Sequence, residues 1–153
     1  MNDCIFCKIA SGIVPSAKVY ESDRVVAFLD ASPMAKGHFL VVPKIHWRDL
    51  ASTPHGGSAS PDEAAALAEL WRVVRAGVAA AVEVFGGGAN VLQCTGIEAG
   101  QTVPHLHLHV IPRAKGGPVP PEFVSGAFAY AGDEDRAATA SALRAAISRL
   151  LAS

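Results

Sequence analysis

The segment His105-Leu106-His107-Leu108-His109-Val110-Ile111 sets three imidazoles two residues apart, with aliphatic side chains between them. Successive side chains of a β-strand point to opposite faces. As a strand, this run puts His105, His107 and His109 on one face and turns Leu106, Leu108 and Val110 toward a core. A helix would scatter the same rings over about 400° of arc at ~100° per residue. A neutral imidazole is a nucleophile near pH 7, exchanges protons there and ligates metals. A lone strand histidine is commonly packed or solvated, but three beside the loop Gly100-Gln101-Thr102-Val103-Pro104 need partners that a site supplies.

Attack by the middle ring, His107, on a phosphorus would give a phospho-imidazole that passes its group to water. His109 is placed to touch phosphoryl oxygens or to share protons with a leaving group. Gly96 and Gly100 allow close backbone approach, so amide N–H groups can cradle anionic oxygens, and Thr102 adds a hydroxyl donor. Activity through neutral His107 is expected to fall below about pH 6, near the ordinary imidazole value.

A second constellation opens the chain. Cys4-x-x-Cys7 offers two thiolates at zinc-ligand spacing, although the same spacing serves redox chemistry or an idle reduced pair. Four ligands close a structural zinc site, and His46 and His105 are the candidates to complete it. Cys94 reads as a buried small apolar residue, and His55 as a solvated loop histidine.

The elements that must hold these residues are those of an α+β domain, an antiparallel sheet with one long central helix and a C-terminal helix. The 153 residues are enough for one domain with its own core. Val19-Tyr20-Glu21 and Val25–Asp30 read as strands around Ser22-Asp23, and His38–Pro43 as a third. Residues 51–60 are rich in Gly, Ser and Pro and read as a mobile loop. Ser60-Pro61-Asp62-Glu63 is a capping box, after which Leu67, Leu70, Trp71, Val74, Val78 and Val82 make one apolar stripe. Gly86-Gly87-Gly88 stops this helix. Asn90–Cys94 reads as a fourth strand, hairpinned to the histidine strand that Pro112 ends. Lys115–Pro121 reads as irregular and Asp133–Leu151 as a helix. The net charge of −1, without a basic block, argues against a duplex nucleic-acid partner. No apolar run spans a bilayer and the first residues are unlike a signal peptide, so a cytoplasmic protein with reduced thiols is expected.

Taken together, His105–Ile111, Ala99–Pro104, Cys4-Ile5-Phe6-Cys7-Lys8-Ile9, Ala27–Pro33 and Lys36–Lys44 resemble the motifs of histidine-triad (HIT) proteins, in order, over residues 4–113. The resemblance implies a nucleotide hydrolase or transferase working through a nucleotidyl-histidine. It makes His107 the nucleophile, His109 a phosphate-contacting histidine, and His38 and His105 supporting histidines. Asp30 matches the carboxylate that holds the ribose. Ile5, Phe6, Ile9, Phe28 and Ala31 match the base pocket, and Gly100, Gln101 and Thr102 the phosphate loop. In the zinc-containing bacterial-type branch, similar to purine nucleoside phosphoramidases, Cys4, Cys7, His46 and His105 would hold structural zinc. A homodimer joined through the long helix and a sheet edge is implied, with a purine nucleotide such as AMP as substrate or product. The chain departs from the pattern at Cys94-Thr95, where relatives usually carry Asn, in the longer loop 51–60, and in the tail of residues 114–153, a C-terminal extension with a helix.

Three functions are therefore open. One is hydrolysis at the α-phosphate of nucleoside phosphoramidates, with dinucleoside polyphosphates as the alternative substrates. Another is a nucleotide-binding or regulatory dimer with little activity, which Cys94 favours. The third is a catalytic metal held by His105, His107 and His109.

Overall fold

Val25–Leu29 (β2) and Phe39–Pro43 (β3) are apolar and buried at every position. Strands of that kind need cover on both faces of their sheet, and the computed structural model supplies it. Residues 3–117 and 126–152 are described. Among them the remaining elements are α1 (Ile5–Ala10), β1 (Lys18–Glu21), α2 (Pro61–Phe85), β4 (Gly88–Leu92), β5 (Leu108–Arg113) and α3 (Asp133–Ala152). The architecture is α+β, with an antiparallel sheet in the order β1-β2-β3-β5-β4.

Alternation sorts each central strand between two cores. Val25, Ala27, Leu29, Phe39, Val41, Leu108 and Val110 join α2 and α3 in the larger core. Val26, Phe28, Leu40 and Val42 face the other way, onto Phe6 and Ile9 of α1. His109 leaves β5 on this second face, opposite Leu40 in the register.

Several sequence expectations need correction. The histidine run is a paired strand only from Leu108 onward. His105 and His107 precede the ladder, because the His105 N–H bonds the Val103 carbonyl and the Leu106 N–H bonds that of Trp47. Leu106 still enters the larger core beside Leu108 and Val110, so the two-sided alternation survives without the ladder. Pro112 does not end β5, which runs to Arg113. It lies beyond the last β3 partner, Phe39 opposite Val110, where β5 has a neighbour on one side only and a residue without N–H is tolerated. β4 begins and ends earlier than expected, leaving Gln93 and Cys94 outside it. Residues 51–60 carry two short 3-10 turns, Leu50–Ser52 and Gly56–Ser58, the first capped by the buried Asp49. Of the irregular stretch expected at 115–121, residues 118–121 lie outside the described residues.

The helix α2 opens with the expected capping box, but its buried face coincides only in part with the expected stripe. The core side is Ala66, Leu70, Val73, Val74, Ala76, Gly77, Ala80 and Ala81. Leu70 and Val74 of the stripe are buried and Leu67 and Val78 are half-buried against the core, while Trp71 is 49% exposed and Val82 41% exposed. The small residues face inward because the helix lies close to the sheet. A Cβ on Gly77 would stand 2.7 Å from the Phe39 ring.

Gly86 ends α2 in the left-handed conformation (φ +71°), and Gly87 packs so closely on β5 that a Cβ there would lie 1.9 Å from the Arg113 carbonyl oxygen. Gly86→Ala should cost about 1–2 kcal/mol, the left-handed penalty alone. Gly87→Ala should cost more, because backbone must move. Urea midpoints of the two variants test this ordering, and equal midpoints would contradict the close approach.

Candidate functional site

The site begins where the chain enters β5. The His105 ring is fully buried, and its Nε2–H donates to the Pro43 carbonyl at 2.8 Å. That bond leaves Nδ1 as the free lone pair, and it faces Cys4 Sγ at 3.3 Å and Cys7 Sγ at 3.5 Å. His46 Nδ1 lies 3.2 Å from Cys7 Sγ. The two cysteines come from the start of α1, so one short helix brings both thiols to the histidines. All four ligand atoms lie within 4.8 Å of one another. A tetrahedral zinc with Zn–S and Zn–N bonds near 2.3 and 2.1 Å separates sulfur from nitrogen by about 3.5 Å, so the donor set fits such an ion in identity and spacing. Burial pushes the Cys7 thiol above its ordinary value, and the Cys4 thiol beside it adds to the push. A bound cation reverses that preference and holds thiolates.

The next ring is fixed by the first. His107 donates Nδ1–H to the His105 carbonyl at 2.7 Å, which leaves its Nε2 lone pair free. Phe6 packs edge-on against it, with centroids 5.2 Å apart. Burial lowers its proton affinity below the ordinary imidazole value.

His109 is set from behind. The Met34 N–H donates to His38 Nδ1 at 3.1 Å, so His38 carries its proton on Nε2 and donates it to His109 Nδ1 at 2.9 Å. His109 is thereby left with Nε2–H as a donor. Asp30 Oδ2 stands 3.7 Å from His38 and 3.8 Å from His109, while its Oδ1 accepts the Ser32 N–H. Burial brings His38 and His109 each down to about 4, against the upward pull of Asp30. Both are therefore neutral at pH 7.

Two cavities meet at these rings. The larger, about 500 Å³, is walled by Ile5, Phe6, Ile9, Phe28 and Leu40, and Asp30, Ala31, Thr102, His107 and His109 line the rest. The smaller, about 340 Å³, is lined by Met34, Leu92, Cys94, Ala99, Gly100, Thr102, His107 and His109. Both volumes suit small-molecule ligands. Almost every residue singled out from the sequence is thus brought to one place. His38 stands behind His109 and lines neither cavity. Gln101 is turned inward, accepting from the Gly96 N–H and donating to the Arg48 and Val103 carbonyls, so it shapes the loop. Cys94 is half-buried and faces the smaller cavity, a correction to its reading as core. His55 is exposed, as expected.

Sequence reasoning missed Ser16, Leu40 and Arg136, which also line the larger cavity. Leu40 was within reach, since alternation in β3 aims it at the α1 side. Ser16 and Arg136 carried no local signal. Ser16 lies between α1 and β1, and Arg136 reaches the site because α3 packs on α2 and β1.

Comparison with known proteins agrees with this geometry. Residues 11–116 match the HIT domain family model. Protein hit of Bacillus subtilis is 42% identical over 117 residues, spanning 73% of this chain and 72% of that protein. The adenosine 5′-monophosphoramidase of Candida albicans is 38% identical over 110 residues, spanning 72% of this chain and 70% of that one. Among solved structures, a zinc-bound histidine triad family protein from Mycobacterium smegmatis superposes with a TM-score of 0.73 at 35% identity, covering 97% of this chain and 96% of that one. An imidazole array on an α+β scaffold, matched over most of its length by these relatives, makes this chain a member of the HIT domain family of nucleotide hydrolases and transferases.

Proposed function

We propose that this protein hydrolyses nucleoside phosphoramidates at the α-phosphate through a nucleotidyl-His107 intermediate. The observation that carries the reading is the His107 ring itself, lining both cavities with its Nδ1–H held by the His105 carbonyl. In this reading the nucleotide occupies the larger cavity, its base against Ile5, Phe6, Ile9, Phe28 and Ala31 and its ribose hydroxyls on Asp30. Gly100, Gln101 and Thr102 form the loop around the phosphate, with Gln101 acting by holding the loop's shape.

Nε2 of His107 attacks the α-phosphorus and the P–N bond breaks. The departing nitrogen takes the Nε2 proton of His109 and leaves as the amine. Water then attacks the nucleotidyl-imidazole, returns a proton to His109, and frees the nucleoside monophosphate and His107. His38 keeps His109 in the donor tautomer through their shared hydrogen bond.

The smaller cavity favours an amine leaving group over a polyphosphate. Its lining has no Lys or Arg among the described residues, and it includes the apolar Met34 and Leu92 beside Cys94. A departing nucleoside polyphosphate would find no cation there to meet its charge. The name of the Candida albicans relative points the same way. Zinc at Cys4, Cys7, His46 and His105 has a structural role in this reading, tying α1 to the approach to β5, with the Pro43 carbonyl orienting His105.

The same reading takes residues 1–153 as a single domain, since α3 packs on α2 and β1. It also makes the protein a cytoplasmic homodimer. The support is the exposed Trp71 and Val82 on α2, together with Val91 on the edge strand β4, 44% exposed. No described helix is long and apolar enough to cross a membrane.

Release of AMP from adenosine phosphoramidates and diadenosine polyphosphates tests the chemistry. The phosphoramidates should be the better substrates, and His107→Ala should slow their turnover by more than about a thousandfold. A native chain that binds AMP yet releases none from any substrate would leave a nucleotide-binding dimer instead. Because burial lowers the proton affinity of His107 and holds His38 and His109 neutral, the rate should persist as pH falls through 6.5 and drop only at more acid pH. A rate halved at 6.5 would mean that these rings titrate as exposed imidazoles. Chelation should lower the thermal midpoint, and added zinc should restore it. Activity lost on chelation with an unmoved midpoint would point to a catalytic metal.

A further inference from the structure

The guanidinium of Arg136, in the first turn of α3, lines the larger cavity without a matching partner. Its Nη2 makes only long contacts, 3.4 Å to the Leu29 carbonyl and 3.5 Å to that of Asp30, and its Nε is buried with no acceptor. The neighbouring carboxylate, Asp135, is held by Lys36 at 2.5 Å. Across the same cavity Ser16 has a hydroxyl that is buried with no partner. The two converge on one residue: the Leu29 N–H bonds the carbonyl of Ala17, next to Ser16, and the Leu29 carbonyl takes Arg136. Leu29 follows Phe28, part of the apolar wall, so these unused polar groups border the slot assigned to the base.

Partly buried polar groups without partners cost stability unless a ligand completes them. An arginine fork matches the two acceptors, O6 and N7, on the edge of a 6-oxo purine. A 6-amino purine puts an N–H donor where the fork also donates. The hydroxyl of Ser16 can donate or accept at the same edge.

We propose that Arg136 and Ser16 form a base-reading subsite that makes this protein prefer guanine over adenine nucleotides. The inference rests on the nucleotide-hydrolase reading above. Arg136 lies outside residues 11–116, so its share of the preference would come from the C-terminal helix, while Ser16 lies within the part matched by the family model.

Binding of GMP and of AMP, measured by calorimetry on the full chain, tests it. The native protein should bind GMP about tenfold more tightly than AMP, within what a bidentate arginine–guanine contact discriminates. Arg136→Met should bring the ratio near one, Arg136→Lys should recover only part of it, and Ser16→Ala should reduce it. Equal native affinities, or a ratio that Arg136→Met leaves unchanged, would overturn the subsite. So would an equal loss for both nucleotides, which would put the guanidinium on ribose or phosphate. Should Arg136→Met fail to fold, Arg136→Lys and Ser16→Ala decide by the same ratio. Hydrolysis of guanosine and adenosine phosphoramidates by the native chain separates the two readings: turnover without base preference overturns only the subsite, and no binding of either nucleotide overturns both.

Discussion

In this protein each imidazole of the site is held in one tautomer by a hydrogen bond to a defined partner. The Pro43 carbonyl takes the Nε2–H of His105, the His105 carbonyl takes the Nδ1–H of His107, and His109 Nδ1 takes the Nε2–H of His38. A proton placed on one nitrogen fixes the lone pair on the other. His105 thus turns a lone pair toward two thiols, His107 is left with a free lone pair on Nε2, and His109 is left with an N–H on Nε2. Residues of the same type, two apart, present three different ring states, each set by its hydrogen-bond partner. The departure of residues 103–107 from the ladder makes this possible, because the His105 carbonyl is left free for a ring and is not spent on a neighbouring strand.

The C-terminal segment, which carried little recognisable pattern, is fastened to the loop bearing Asp30 and His38. The Gly126 N–H bonds the Ser32 carbonyl, the Phe128 N–H bonds that of Pro33, and the Gly37 N–H bonds the Tyr130 hydroxyl. Lys36 pairs with Asp135. The placement of Asp30 and His38 therefore depends on residues far along the chain. A loop between two strands gains rigidity from outside when its own short length cannot supply it.

Much of this was legible from the residues. Spacing gave the strands β1 to β3, the capping box of α2, the two faces of the histidine run and the four candidate metal ligands. The failures have physical causes. In α2 the expected stripe is buried at Leu70 and Val74 but takes in the exposed Trp71 and Val82, while half of the buried face is alanine, with Gly77 where the Phe39 ring excludes bulk. A pattern search that weights size therefore shifts the face toward Trp71 and passes over the buried alanines. Pro112 misled because its cost depends on which neighbour is present, a fact of sheet order. Gln101 lies in a recognisable motif, but whether its amide faces ligand or loop is decided by the carbonyls of Arg48 and Val103, and Arg48 is far off in sequence. Arg136 was invisible because only the docking of α3 brings it to β2.

The near contact of Gly77 with the Phe39 ring has a mechanical consequence. Phe39 pairs with Val110 and Leu40 with His109, so the ring wedged beneath the helix acts as a detent on the sliding of β3 along β5. A slip of one residue would exchange the two faces of β3. It would drive Phe39 toward α1 and carry His38 out of reach of His109. The alignment of His38 with His109 is thus braced by an aromatic ring on the opposite side of the sheet, in a notch that the absence of a side chain provides.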